Sequence, residues 1–412
     1  MDIVYERCAG LDVHKKTVVA CRMLRQADGH WQQETRTFGT MTVDLLALAD
    51  WLRAEEVTHV AMESTGVFWR PVYNILESEF TVLVVNAKHI KYVPGRKSDV
   101  KDAAWIAEVL QYGLLKPSFI PSAPQRALRD LVRYRTALIQ ERAREINRVQ
   151  KVLEDANIKL SSVATDVMGV SARDMLTQLI QGQTDPQILA DLARGRMRAK
   201  LAELERALTG RIHAHHRLLL GLHLEHIDDL TTKLKRLSRE IETAVAPFDQ
   251  TDELERLDEI PGVGLEVAQG ILAELGTDMS RFPNGAHAVS WAGLAPGKNE
   301  SAGRNRSAKI PKGNKHLKAL LVQAANAVSR SNDNYLGAQF HRLAARRGRK
   351  RAAVAVARSI LIIAYHLLRD GTRYIELGAD YFDKRNQHYL EQHLVKRLER
   401  LGHKVTLDPR AA

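Results

Sequence analysis

Four carboxylates and one serine stand out in this 412-residue chain as residues whose surroundings call for chemistry. Asp12, in GLDVHKK, falls between Leu11 and Val13 of what reads as a half-buried strand, where an ionised carboxylate needs solvent or a counter-charge. Glu63, in HVAMESTG, closes a short apolar strand just before the chain leaves the sheet. Asp99 and Asp102, in KSDVKDAAWIAEVL, are three apart and in a helix would share a face. Four acids brought together cannot all stay ionised without cations. One or two magnesium ions would neutralise them and clamp a phosphodiester. Singly, each has a plainer explanation: Asp99 can stabilise a helix N-terminus, and Glu63 can be a solvated loop residue. Asp12 has few structural uses.

The serine lies in GLAPGKNESAGRNRSAKIPKGNKHLKALL. Lys298, Arg304, Arg306, Lys309, Lys312, Lys315 and Lys318 crowd this Gly-, Asn- and Ser-rich stretch, with Glu300 the one acid among them. Such a segment is expected to be a loop that wraps phosphates rather than a core element. Ser301, beside small Ala302 and Gly303, could attack a phosphodiester while the cations stabilise the developing charge. A loop hydrogen-bonder is the alternative reading, and Ser307 competes for the role. Lys15, Lys88, Lys91, Arg96, Lys97 and Lys101 would surround the acids with phosphate-binding charge, or are solvated surface cations. In IPGVGLEVAQGILAELG, Gly262 and Gly264 resemble the turn of a helix-hairpin-helix, whose backbone N–H groups face a phosphate.

The elements that must position these groups follow from periodicity. Residues 1–118 read as three strands, a helix, a strand, a helix, a strand and a helix, a mixed α/β domain of the ribonuclease-H-like kind that gathers strand and helix carboxylates. Residues 119–245 read as a long helical pair. Val132, Ile139, Ile146 and Leu153 recur every seventh position, as do Leu220, Ile227, Leu234 and Ile241, the spacing of a coiled coil. Residues 246–375 form a mainly helical unit holding the hairpin and the serine segment, and 376–412 a helical tail. No repeat or low-complexity tract is evident.

The formal net charge of +12 favours a polyanionic partner. Cys8 and Cys21 indicate neither a disulfide framework nor a zinc site. No signal-peptide pattern is expected at the N-terminus, and no run approaches the ~18 apolar residues of a membrane span; SILIIAYHLL reads as a buried helix.

Together GLDVHKK, AMESTGVFWRPVY, KSDVKDA, LDEIPGVG and the serine segment resemble, in order and spacing, the DEDD-type transposases of bacterial insertion sequences, a family that includes bridge-RNA-guided recombinases. The resemblance implies a RuvC-like N-terminal domain, a coiled-coil middle and a C-terminal transposase domain. It places the acidic tetrad on Asp12, Glu63, Asp99 and Asp102 and the nucleophile on Ser301. It further implies a covalent serine–DNA link, magnesium, donor and target double-stranded DNA, a structured guide RNA, a homodimer or homotetramer with the acidic site supplied by a partner subunit, and a bacterial cytoplasmic, nucleoid-associated location. Two rivals make other predictions. A RuvC-type structure-selective nuclease would hydrolyse with water at the same acids and leave no adduct. A non-catalytic DNA-binding scaffold would leave Asp12 and Glu63 unexplained.

Overall fold

The computed structural model describes residues 3–64, 66–86, 102–297, 300–301, 304–305, 310–385 and 387–407. The chain divides into two compact units, Met1–Pro121 and Ser122–Ala412.

In the first unit, alternating apolar residues build a five-stranded sheet in the order β3-β2-β1-β4-β5. Its strands are β1 (Arg7–Val13), β2 (Thr17–Arg25), β3 (Trp31–Gly39), β4 (His59–Glu63) and β5 (Thr81–Val85). The first three form an antiparallel meander, whereas β1–β4 and β4–β5 pair in parallel. This is the mixed-sheet, ribonuclease-H-like architecture expected of the N-terminal region. Period-two alternation assigns the faces. Ala9, Leu11, Val13, Val60 and Met62 pack with α1 (Thr42–Arg53) and α2 (Trp69–Leu76). Cys8 and Ala61, on the opposite face, pack with α3 (Asp102–Gln111).

The second unit is helical apart from one two-stranded ribbon, β6 (Glu300–Ser301) with β7 (Arg304–Asn305). Its first helix, α4 (Ala123–Asp155), leads through α5 (Leu160–Val163), α6 (Val170–Ile180), α7 (Pro186–Ala190) and α8 (Leu201–Leu208) to α9 (Ala214–Val245). Helices α4 and α9 pack antiparallel: Arg142 meets Thr231, Glu145 meets His223, and Asp155 meets His216. The apolar seams read from the sequence therefore close on each other within one chain, with one correction. Ile139 is exposed, and the buried residues on that stretch are Arg135 and Leu138. A strict seven-residue count picks the residue just beside the true seam. Helices α5 to α8 share a second core with Val149 and Leu153 of α4 and with Leu220, Leu224 and Ile227 of α9.

The remaining helices are α10 (Glu253–Asp258), α11 (Leu265–Leu275), α12 (Gly285–Trp291), α13 (Lys315–Val328), α14 (Tyr335–Arg347), α15 (Arg349–Asp370), α16 (Tyr381–Arg385) and α17 (Gln387–Arg400). Helices α10 to α15 share one core with Leu128, Val132 and Leu138 of α4, to which α16 and α17 contribute no described residue. Contrary to the expectation from apolar runs, α15 has the length and mean hydropathy, 1.6, of a membrane-crossing helix. Alanines raise that mean without forming a long run of large apolar residues. Half of the apolar stretch is buried here, and Val356, Ile360, Ala364 and Tyr365 serve as core.

Candidate active site

One close approach places the expected acidic residues. Gly10 sits in β1 directly under α3, where a Cβ would lie 2.3 Å from both Ala103 O and Ala107 N. Only glycine lets the helix backbone rest on the strand at that point. The contacts also fix direction: Val4 and Tyr5 donate to Gln111 O, Cys8 lies 3.7 Å from Ala107 O, and Gly10 lies under Ala103. Helix α3 thus runs antiparallel to β1, and its first residue, Asp102, arrives over the carboxyl end of β1. Asp12 is two residues beyond Gly10 and faces the same way. Register between β1 and β4 runs through Leu11↔Met62, which puts Glu63 beside Asp12, on the face that Ala61 presents to α3.

The backbone positions of three of the four expected carboxylates, Asp12, Glu63 and Asp102, therefore lie along one edge of the sheet at the carboxyl ends of two parallel strands, where the chain departs to β2 on one side and towards β5 on the other. Open α/β sheets place ligands at such divergences. Asp12 is half-buried, its side chain 26% exposed, and its Oδ2 lies 3.1 Å from His14 Nε2. Glu63 is also half-buried and Asp102 is exposed. Carboxylate oxygens are the donors a hard divalent cation takes, and these three are partly open to solvent, but in this arrangement their ligand atoms do not all lie within 4.8 Å of one another. Lys15 is exposed in the turn after Asp12. Asp99, Arg96 and Lys97 lie outside the described residues, as do Lys88, Lys91 and Lys101.

In the second unit the serine segment is held by its neck. Gly293 and Gly313 cross backbone to backbone, so that a Cβ on Gly313 would lie 2.3 Å from Gly293 N. The next residue, Asn314, donates its N–H to Trp291 O at 3.1 Å. Its Oδ1 caps α13, accepting from His316 N and Leu317 N. Its Nδ2 donates to Glu274 Oε2 at 2.7 Å. Glu274, 1% exposed, receives a two-pronged ion pair from Arg133 at 2.7 and 2.8 Å, while Arg129 stands 3.6 Å away. Burial pushes the Glu274 carboxyl up, but the Arg133 and Asn314 hydrogen bonds and the two guanidinium charges outweigh it and hold it below the usual carboxylate range. Burial, reinforced by Arg133, lowers His316 from its ordinary value and favours the neutral ring.

Within the neck the described residues Glu300–Ser301 and Arg304–Asn305 form a two-stranded ribbon, in which Ser301 pairs with Arg304. Lys312 immediately precedes Gly313 of the neck, and Lys315 opens α13. Lys298, Arg306, Lys309 and Ser307 lie outside the described residues. Gly262 adopts a left-handed φ of 83° between α10 and α11, and a Cβ there would lie 2.5 Å from Ala324 O on α13. Gly264 precedes α11 with open space around it.

Sequence reasoning missed the Arg133–Glu274–Asn314 clamp and the His14 contact. It also missed a cluster at the far end of the long helices, where ligand atoms of Asp155, His215 and His216 lie within 4.8 Å of one another. Both His216 nitrogens are engaged there, Nδ1 by His213 N–H and Nε2 by Asp155, so the cluster serves as the start of α9.

Comparison with known proteins bears directly on this geometry. The family model for the DEDD domain of IS110 transposases matches residues 9–158, a span that includes the acidic residues. A second model, the transposase family IS116/IS110/IS902, matches residues 254–341, which include the glycine turn and the serine segment. The chain belongs to the IS110 family of transposases. A Pseudomonas aeruginosa protein named "Probable family 20 transposase" is 28% identical over 320 residues, covering 76% of this chain and 85% of that one. A Streptomyces coelicolor protein, "Insertion element IS110 uncharacterized 43.6 kDa protein", is 33% identical over 120 residues, 29% of each chain. As an IS110-family transposase this is a DNA-processing enzyme, and its DEDD domain points to divalent metal use.

Proposed function

We propose that this transposase cuts and rejoins DNA strands through a covalent phosphoserine link, with Asp12, Glu63, Asp99 and Asp102 holding one or two magnesium ions and Ser301 as the nucleophile. The observation that supports the acidic half is the placement of Asp12, Glu63 and Asp102 along one edge of the sheet by strand register and by the Gly10 contact. Magnesium bound there would supply charge neutralisation and Lewis-acid activation of the scissile phosphate. The chain's own groups do the rest. Asp12, fixed by its strand and by His14, and Asp102, fixed by the Gly10 contact, set the geometry of the donor oxygens. The closed neck at Gly293 and Gly313 presents Ser301 on a short ribbon.

In the cutting step the Ser301 Oγ–phosphorus bond forms as one phosphorus–oxygen bond to deoxyribose breaks, and the hydroxyl proton passes to the departing sugar oxygen. Rejoining is the reverse attack by a sugar hydroxyl, so no external energy source is required. Arg304, Arg306, Lys309, Lys312, Lys315 and Lys298 would neutralise flanking phosphates, as would Lys15, Arg96 and Lys97 near the acids. The turn at Gly262 and Gly264 would act as a helix-hairpin-helix contact to the DNA backbone.

A homodimer or homotetramer in which one subunit's acids serve another's serine fits this scheme. The α4–α9 seam is filled within the chain, so assembly would use the exposed apolar side chains Tyr134 and Ile139 on α4 and Leu218 and Leu222 on α9. The net charge of +12 suits both donor and target DNA and a structured guide RNA. The bacterial cytoplasm, at the nucleoid, is where such a substrate is found. The domain scheme 1–118, 119–245, 246–375 and 376–412 belongs to the same reading.

The test is covalent capture. Labelled element-end DNA, incubated with protein, magnesium and transcript from the flanking DNA, should yield a denaturation-resistant protein–DNA adduct. Ser301→Ala should abolish the adduct while retaining DNA binding. Free DNA ends without an adduct would favour hydrolysis by water, and adduct formation by Ser301→Ala would remove Ser301 from the role.

A further inference from the structure

The turn joining α14 to α15 carries a charge pattern that neither the acidic residues nor the serine segment uses. Five of the six residues 346–351 are cations, with Gly348 between them, and no acid occurs from Asn334 to Arg369. All six are exposed. Among the described residues, Arg346, Arg347, Lys350 and Arg351 have no carboxylate partner, and Arg349 rests against Ser329 and the Phe340 ring.

Folding alone does not explain this placement. Arg346 and Arg347 suit the negative end of α14, but Arg349, Lys350 and Arg351 occupy the first turn of the 22-residue α15, its positive end, where cations are disfavoured. The Gly348 cap offers no side chain to the N–H groups of that turn. A surface kept charged only for solubility intersperses both signs. Here repulsion accumulates without an internal offset, as it does where the offset comes from an external polyanion.

The neighbourhood supports such a partner. Arg349 meets Ser329, the residue that ends α13, and the Gly262 turn packs on the last turn of the same helix through Ala324 and Val328. The serine segment enters α13 at its opposite end, through Asn314. At 1.5 Å per residue, this 14-residue helix separates the two ends by roughly 20 Å. The basic turn and the glycine turn are thus neighbours on one side of the unit, away from the neck. The matched family region ends at residue 341, before the basic turn begins.

We propose that the α14–α15 turn is a docking surface for the phosphodiester backbone of double-stranded DNA, contiguous with the Gly262 turn and separate from the strand-exchange centre. The inference relies on the functional reading only for DNA as partner; it involves neither Ser301 nor metal.

The test is binding of full-length protein, in EDTA, to a fluorescein-labelled 30-base-pair DNA duplex of arbitrary sequence, by anisotropy across a salt series. A second arm uses an RNA duplex of the same sequence. Each phosphate contact adds about 0.9 to the slope of log affinity against log salt. The variant R346Q/R347Q/K350Q/R351Q should lower that slope by about 2 to 4 and weaken binding roughly tenfold or more near 0.1 M salt. A charge-matched control, K233Q/K235Q/R236Q/R239Q on α9, should change the slope by less than about 1. R346K/R347K/R351K should retain the wild-type slope.

Loss on the DNA arm, with or without loss on the RNA arm, supports the proposal, and loss on the RNA arm alone would overturn it. Unchanged slopes on both arms, or an equal loss in the control, would overturn the proposal. Because the assay needs no catalysis, its failure leaves the serine reading standing, and failure of the Ser301 test leaves this one standing.

Discussion

Removing the Glu274 carboxylate should both destabilise the second unit and loosen the serine segment, and the size of the first effect can be worked from its contacts. Glu274→Ala leaves Arg133, Arg129 and Asn314 Nδ2 without their shared acceptor in a site where the carboxylate was 1% exposed. Breaking a buried pair from one side costs about 3–5 kcal/mol, because the remaining charge stays desolvated. Arg133 is 29% exposed and can recover some hydration, so the lower figure, about 3 kcal/mol, applies. At roughly 2 °C per kcal/mol for a unit of this size, the melting temperature should fall by roughly 6 °C. Glu274→Gln should lose nearly as much, since its amide NH2 opposes the guanidinium. A double-mutant cycle with Arg133→Ala should give a coupling of about 2 kcal/mol. The pH dependence has a definite sign. The folded carboxyl titrates below its unfolded value, so its contribution is complete above the unfolded value, about 4.3, and fades as pH falls through the folded one. The gap between wild type and Glu274→Gln should accordingly narrow on acidification. Calorimetric scans from pH 7 down to about 3 measure both quantities. A melting change within about 1 °C, additive double mutants, or a gap independent of pH would refute the clamp.

Three further outcomes are expected. Gly10→Ala should push α3 off the sheet, since backbone cannot yield as a side-chain tip can. A loss of about 3 kcal/mol or more is expected by thermal unfolding, together with loss of metal binding in calorimetric titration. Asp12→Asn, Glu63→Gln and Asp102→Asn should each weaken magnesium or manganese binding on the order of 10–100-fold, and should abolish strand cutting while DNA is still bound. Burial raises the Cys8 thiol to about 12, so neither Cys8 nor the equally buried Cys21 should react with Ellman's reagent at pH 8, and both should titrate once guanidinium unfolds the chain.

The parts legible in the sequence are those governed by short-range periodicity. Alternation in residues 7–25 gives β1 and β2 and the face each side chain takes, and with it the oddity of Asp12. The long helices are equally plain, but their seam is not. Arg135 and Glu145 are buried in it, and a rule that admits only apolar residues passes over them and selects Ile139, which is exposed. The clamp left no local trace at all. Arg133 and Glu274 are 141 residues apart, and a Glu near the end of an apolar helix looks like any solvated acid. Gly10 was invisible for a related reason, since a glycine in a strand does not announce which element will rest on it. The ribbon around Ser301 has the residue types of turns, so its sequence points to a loop. Arg- and Lys-rich helix ends are common, so only exposure, a lack of acids and a place beside Gly262 distinguish the basic turn.

The buried charges bear on how such a protein is specified. A carboxylate between two guanidinium groups is a weak source of stability, since apolar residues of similar volume often do as well. What an apolar cluster cannot do is choose Asn314. Glu274 accepts from Arg133 on α4 and from Asn314 at the start of α13, and Asn314 in turn holds Trp291 and the first turn of its own helix. Each of these bonds has a direction, and together they leave one arrangement in which every buried polar group is satisfied. The neck of the serine segment is therefore set by hydrogen-bond geometry where greasy packing would permit sliding. A ribbon only a few residues long, carrying the proposed nucleophile, depends on that neck for its aim. In the first unit the same end is reached by different means: a backbone contact at Gly10, tolerant of no side chain, fixes where the helix that begins at Asp102 crosses the strand that carries Asp12. In both places local stability is subordinated to position, as expected where a reacting group must be held still.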